Sequence, residues 1–379
     1  MTEKNVPKLR FSGFKDNWEN TKIGDCLDVK YGKDYKHLNK GKYPVLGTGG
    51  IMEYVDEFLY SGESILIGRK GTIDKPKYID DSFWTVDTLF YTEIKKQFPK
   101  FLFYCISNIN WLKYNEASGV PSLSANNIKN VKINIPELIE QKKIANFLTS
   151  IDYKIELLDA KHKYYVEFKR YLMQQIFTQK LRFADNENWK TVKLGDVCKI
   201  TMGQSPSSEN YSENNFHTVL IQGNADIING KVVPRVYTSE ITKISKPGDI
   251  IMTVRAPVGD LAINEFESCI GRGVCSIEGN KFIYYLLQSL KDNHVWERLS
   301  QGSTFESINS NDIKNLKVKM PSEETQNTIS LFLTEIDSKI ELYEIQFLTF
   351  QKLKKGLLQQ MFGYVHIILN FCVKICFIR

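Results

Sequence analysis

Asp87, Glu93 and Lys95 stand at the spacing of a metal-dependent nuclease centre. There, two carboxylates hold a divalent ion and a lysine lies near the attacking water. A chain with 25% charged residues throws up such triplets readily, and no proline precedes Asp87. Gly47-Thr48-Gly49-Gly50 has the glycine content of a cofactor loop. Lacking a strand-turn-helix frame, it reads as a tight turn between strands. No P-loop pattern occurs, nor the Asn/Asp-Pro-Pro-aromatic motif expected of an amino-methylating enzyme acting on DNA. The histidines (His37, His162, His217, His294, His366) are scattered, so neither a metal cluster nor a Ser-His arrangement is expected. Cys26, Cys105, Cys198, Cys269, Cys275, Cys372 and Cys376 are odd in number and form no CxxC pair, which predicts reduced, mostly buried thiols.

Residues suited to binding a polyanion are plainer. Lys30-Tyr31-Gly32-Lys33, continuing through Lys36, His37, Lys40, Lys42 and Tyr43, reads as a basic loop interleaved with aromatics. Such a loop can neutralise phosphates while its neighbours meet base edges. Arg69-Lys70-Gly71-Thr72 follows the apolar run at Ile65, and Arg255-Ala256-Pro257-Val258-Gly259 follows the run at Ile250. An arginine carried by a strand end onto a turn can fork onto guanine or clamp a phosphate, or it can simply brace the turn. Gln204 and Ser205, in a Gly203-Gln204-Ser205-Pro206 turn, and Arg272 complete the candidate contacts. Lys+Arg 50 against Asp+Glu 44 gives a net charge of +6, which permits a polyanionic partner without requiring one.

The elements that position these residues come from an internal duplication. The segment from Lys129 to Phe177 returns from Lys314 to Phe362 without a gap, with about 20 of about 49 positions identical. Pro136/Pro321, Gln141/Gln326, Asp152/Asp337 and Gln174-Gln175/Gln359-Gln360 are among the matches. Upstream, Leu9-Arg10-Phe11, Trp18 and Ile23-Gly24-Asp25 are echoed by Leu181-Arg182-Phe183, Trp189 and Leu194-Gly195-Asp196. After each proline, apolar residues alternate at three and four. They are Ile144, Leu148, Ile151, Ile155, Leu158, Tyr165, Leu172 and Ile176, then Ile329, Leu333, Ile336, Ile340, Tyr343, Phe347, Phe350, Leu357 and Met361. That seam predicts two long helices packed against each other, with His162, Lys169 and Lys354 as interruptions. About 40 residues at roughly 1.5 Å per residue span about 60 Å, more than a small lobe covers.

Residues 20–130 and 190–316 read as short strands with turn signals and a few short helices, near Lys100 to Asn110 and Lys281 to Leu290. The expected class is α+β, with boundaries at 1–135 (lobe one), 136–178 (first long helix), 179–320 (lobe two), 321–362 (second long helix) and 363–379 (an apolar tail). At 379 residues, more than one core is expected. The N-terminus shows no signal-peptide pattern. The tail, interrupted by His366, Asn370 and Lys374, falls short of the roughly 20 apolar residues of a spanning helix.

Taken together, the paired openings, the strand-then-Arg turns, the Gly203 turn and the two repeated helices make residues 7–362 resemble the specificity subunit of a bacterial type I restriction-modification system. The resemblance implies two target-recognition lobes, pseudo-two-fold related, on an antiparallel coiled coil. Each lobe would read one half of an asymmetric, bipartite site in double-stranded DNA. Candidate DNA contacts are Lys30, Lys33, Lys36, Arg69, Lys70, Thr72, Gln204, Ser205, Arg255 and Arg272. Ile144, Leu148, Ile151, Ile155, Ile329, Leu333, Ile336 and Ile340 would serve helix pairing and partner docking. Two modification subunits using S-adenosylmethionine, and restriction subunits using ATP and Mg²⁺, would supply the chemistry. The chain itself would bind no cofactor and no metal, act on no membrane and work in the cytoplasm. Two departures stand out. Thr325 takes the place of Glu140, which predicts an altered docking face. Residues 363–379 match nothing in the first repeat and read as either a frame-changed terminus or a terminal packing segment. The competing expectations are a nuclease built on Asp87, Glu93 and Lys95, and a coiled-coil adaptor that binds only protein.

Overall fold

A computed structural model describes residues 6–185, 187–300 and 307–363. The tail beyond Gly363 lies outside them. Two compact units emerge, one of residues up to Leu158 plus those from Ile345, the other Asp159–Glu344. The division falls within both long helices, Leu138–Phe177 and Glu323–Phe362. Each unit thus holds one lobe, the first half of that lobe's own helix and the second half of the other. Among the described residues no helix is long and apolar enough to cross a membrane.

In the first unit, lobe one is a six-stranded sheet in the order Leu27–Tyr31, Leu89–Ile94, Tyr60–Gly68, Lys77–Thr85, Lys40–Gly47, Gly50–Val55. The central strand carries Ile65, Leu66 and Ile67, all buried. Because successive strand side chains point to opposite faces, Ile65 and Ile67 join the main core while Leu66 packs with Phe83, Leu89 and Tyr91. The main core also holds Trp18, Phe101 and Trp111, with Ile144, Leu148 and Ile151 from the first long helix and Leu357, Met361 and Phe362 from the second. The seam is therefore shared. Its residues pack on the lobe as well as on the partner helix, and Ile155 is only partly buried there. The pair is antiparallel, because Asp152 meets Lys354 and Lys154 lies over the Phe350 ring.

In the second unit, lobe two splits into a six-stranded and a five-stranded sheet. Its core packs Phe282, Leu287 and Trp296 with Leu172, Met173 and Ile176 from one long helix and Ile329, Leu333 and Ile336 from the other; Ile340 is partly buried. Lys161 over the Tyr343 ring and Lys169 on Asp337 repeat the antiparallel sense.

Local signals set the ends of both helices. Gln141 Nε2 donates to the Pro136 carbonyl at 2.8 Å, and Gln326 Nε2 to that of Pro321 at 3.1 Å. Beyond the first helix Gln179 takes a left-handed φ of 59°; beyond the second, Gly363 takes 68°. The opening motifs dock here too. Ile23 N donates to Val131 O and Leu194 N to Leu316 O, both at 2.9 Å. A Cβ on Gly24 or Gly195 would lie 3.0 or 2.9 Å from the Cβ of Lys129 or Lys314, so these turns approach closely only with glycine.

The Thr325 departure has a local account. Glu140 is buried and forks onto Arg10, with both oxygens at 2.7 Å. At the matching place Thr325 Oγ1 donates to Glu187 at 2.7 Å, and Glu187 also takes the Ser322 amide. A carboxylate is thus kept at each helix start, on opposite partners, where the helix dipole favours it.

Candidate nucleic-acid interface

Each lobe builds the same backbone cradle from segments far apart in sequence. A strand (Leu27–Tyr31 or Lys199–Met202) ends on a glycine. A Cβ there would sit 2.1 Å from Val86 O at Gly32, and 2.1 Å from Gly271 O at Gly203. The next amide donates across: Lys33 N to Thr85 O at 2.8 Å, Gln204 N to Ile270 O at 2.9 Å. From the central strand, Arg69 N donates to Thr88 O at 2.8 Å and Val254 N to Gly273 O at 2.9 Å. A third segment closes it, with Leu123 N on Arg69 O at 2.9 Å and Ile308 N on Val254 O at 3.0 Å. Lys70 bridges to Ser122, and Arg255 to Ser307.

These contacts fix which residues correspond. Lys33 matches Gln204, Lys70 matches Arg255, Asp87 matches Arg272, and Arg69 matches Val254. In the sequence Arg69 and Arg255 stand at equivalent places, each seven residues after a glycine (Gly62 and Gly248), but in the backbone frame that pairing is one residue out of register. In extended chain such a slip reverses the side-chain direction. Arg69 is half-buried: Nη1 donates to the Asp87 carbonyl at 3.1 Å, lies 3.9 Å from its carboxylate, and the guanidinium covers the Tyr31 ring. It braces the turn, whereas Lys70 and Arg255 are exposed at the matching place.

The other candidates divide. Lys33 and Lys36 are exposed on the 32–39 loop, and Thr72 is exposed on the turn after Lys70. Gln204 and Arg272 are exposed, and the Arg272 amide donates to Ser205 Oγ at 3.1 Å, joining two cradle segments. Lys30 is not in the loop where the sequence placed it. It lies in a strand, 3.1 Å from Glu93. Lys95 in turn meets Asp28 at 2.7 Å, and Asp28 is the cross-strand partner of Glu93. Lys95 together with hydrogen bonding holds the Asp28 carboxyl below its ordinary value. Glu93 and Lys95 thus belong to a ladder of cross-strand ion pairs, while Asp87 sits beside Arg69. Among the described residues no group of three or more His, Cys, Asp or Glu could hold a metal. Gly47-Thr48-Gly49-Gly50 is a two-residue hairpin turn, with Gly47 paired to Gly50.

The correspondence Lys70/Arg255, Asp87/Arg272, Leu123/Ile308 keeps the same 185-residue offset as the helices (255 − 70 = 272 − 87 = 308 − 123 = 185). Extending the helix alignment upstream would have found it. The hairpins that precede it in each lobe do not share that offset. Lobe one follows Leu46 with the Thr48-Gly49 turn. Lobe two follows Ile221 with a hairpin at Asn229-Gly230, from which Lys231 reaches Glu341 at 2.7 Å.

Two α+β lobes with one cradle design, each followed by a long helix, define a protein that presents two related but unlike edges. The chain belongs to the type I restriction modification DNA specificity domain family, whose model matches residues 15–164 and 186–348. As a member it is a non-catalytic subunit that supplies the DNA specificity of a type I restriction-modification system. Over 359 residues it is 30% identical to the "Putative type I restriction enzyme MjaX specificity subunit" of Methanocaldococcus jannaschii, covering 89% of this chain and 77% of that one. With the MjaVIII specificity subunit of the same organism it shares 23% identity over 94% of each chain. In fold it is similar to the crystal structure of the type I S subunit from M. genitalium, with a TM-score of 0.68, 18% identity, and 95% and 100% of the two chains covered.

Proposed function

We propose that the two cradles are the reading edges, so that lobe one (1–135) and lobe two (179–320) each address one half of an asymmetric, bipartite target in double-stranded DNA. The observation that carries this is one backbone frame with different exposed side chains: Lys33, Lys70 and Asp87 in one lobe, Gln204, Arg255 and Arg272 in the other. Lysines would meet phosphates, while Arg255, Arg272 and Gln204 have the donors for base edges. Lys36, Thr72 and Ser205 flank these positions. Lys30 and Arg69, held by Glu93 and Asp87, would act by shaping the edge.

On this reading the helices at 136–178 and 321–362 act as spacer and as docking surface for two modification subunits. Those subunits bring S-adenosylmethionine. Restriction subunits bring ATP and Mg²⁺, and the complex works in the cytoplasm. Co-expression with a cognate modification subunit, followed by mapping of methyladenine across the host genome, tests the reading. The expected mark is one motif of two unlike halves around an unspecified gap. A contiguous motif, or no new methylation by an intact complex, would refute it.

A further inference from the structure

Of the three residues that interrupt the apolar seam, the structure puts Lys169 and Lys354 to the same use. In the first unit Tyr104, on the lobe helix Pro99–Ser107, donates its hydroxyl to Asp152 at 2.8 Å and lies 3.1 Å from Thr149 Oγ1. Lys354 of the second long helix meets the same carboxylate at 2.5 Å, its ammonium over the Tyr104 ring. In the second unit Tyr285, on the lobe helix Lys281–Asp292, reaches Asp337 at 2.7 Å and Thr334 at 3.2 Å. Lys169 of the first long helix meets Asp337 at 2.6 Å and covers the Tyr285 ring. Four residue types recur in one geometry, and each node ties a lobe helix, its own long helix and the opposite long helix through one carboxylate.

We propose that Lys169 and Lys354 are positioning residues that fix the register of the long helices, and through it the spacing between the half-sites. This rests on the two-half-site reading above. Between the helices themselves, an apolar seam with a heptad period tolerates a slip of seven residues, about 10 Å of helix, or about three base pairs of duplex. Apolar packing of the helix ends on the lobes opposes such a slip without direction, and the nodes oppose it by exact partner. Such a slip would bring Lys169 to Glu344 and Lys354 to Asp159. Those are acids too, but each lies seven residues beyond the carboxylate that a lobe tyrosine holds. Only in the observed register do lobe tyrosine and opposite lysine share one carboxylate. A single polar position can specify register in this way even where it adds little stability.

The test uses the full chain assembled with its modification subunit. One variant replaces both nodes with apolar pairs: Asp152→Leu with Lys354→Met, and Asp337→Leu with Lys169→Met. A second, Tyr104→Phe with Tyr285→Phe, removes only the lobe hydroxyls. Register is read by oxidative cross-linking of added cysteines, Tyr165→Cys and Tyr343→Cys, whose native rings are 5.4 Å apart. Spacing is read from the methylome. With the thermal midpoint kept, the apolar variant is expected to lose at least half of the cross-link and to methylate sites whose gaps differ by about three base pairs. Full cross-linking with a single gap length, in a folded variant, overturns the proposal. If the apolar variant does not fold, the same two outcomes decide on the phenylalanine variant. If the unaltered complex leaves no bipartite mark, the two-half-site reading fails instead, and the cross-link still scores the register.

Discussion

Gly203→Ala in lobe two, set against Gly32→Ala in lobe one, isolates one cradle at a time. The new Cβ at residue 203 would start 2.1 Å from Gly271 O and 2.8 Å from Ile270 O. Carbon-oxygen contacts settle at about 3.3 Å or more, so the two strands must part by about 1 Å. Overpacking of that kind costs about 1–3 kcal/mol. The separation also strains Gly203 N to Val274 O and Gln204 N to Ile270 O, each worth about 1 kcal/mol. The expected loss is therefore about 2–5 kcal/mol, confined to one lobe. At the edge, a shift of about 1 Å would break the base contacts proposed above, which if bidentate are worth about 1–3 kcal/mol each, or about 5- to 150-fold in discrimination. Competition binding by the assembled complex, with each half-site scrambled in turn, reads this out. Gly203→Ala should lose preference at one half-site and keep the other, and Gly32→Ala should do the reverse. Equal loss at both halves, or an unchanged thermal midpoint with both preferences intact, would refute the cradle as the reading edge.

Three further outcomes follow from contacts elsewhere. Arg10→Ala strands Glu140, whose side chain is 2% exposed, and should cost about 3–5 kcal/mol in denaturant unfolding, while Arg10→Met with Glu140→Leu should recover most of it; a single-variant loss under about 1 kcal/mol would contradict the fork's importance. Hydrogen bonds from the Ser322 amide and the Thr325 hydroxyl hold the Glu187 carboxyl below its ordinary value. It binds a proton more weakly folded than unfolded, so its contribution is full above the unfolded value and is lost as pH falls through the folded one. Glu187→Gln should flatten the acid limb of the stability curve, and an identical limb would exclude the effect. Burial pushes the Cys26 and Cys198 thiols up to about 11 and Cys275 up to about 12. In native protein at neutral pH these three should resist thiol reagents and react only on unfolding, as peptide mass mapping would show.

Much of the frame was legible because it is repeated or periodic. The long helices follow from a seam of three-and-four spacing without an internal proline, and the turn at Thr48-Gly49 from its glycines. Lys30 was misplaced because a lysine inside a short mixed strand looks like one in a basic loop; only the pairing of Leu27–Tyr31 with Leu89–Ile94 sets it against Glu93. Equal spacing from Gly62 and Gly248 sets Arg69 beside Arg255 in sequence, whereas the backbone ladder pairs Arg255 with Lys70. Lys169 and Lys354 stand in the seam as defects when read from the helices alone, since their partners Tyr285 and Tyr104 lie in the lobes, 116 and 250 positions away.

The duplication has kept side chains where three elements meet and released them where only backbone is needed. At each node Tyr, Thr, Asp and Lys recur together, and removing the lysine alone leaves a half-buried carboxylate short of its counter-charge. At each cradle the frame is held by main-chain amides and carbonyls, with glycine required at Gly32 and Gly203 in the shared position and at Gly68 and Gly273 in one lobe each. The exposed side chains at the matching positions take no part in these main-chain contacts, so Asp87 can stand where Arg272 does, and Lys70 where Arg255 does. A surface whose backbone is fixed and whose side chains are free can change what it recognises without refolding, which is the physical requirement on a specificity subunit that takes its chemistry from partners.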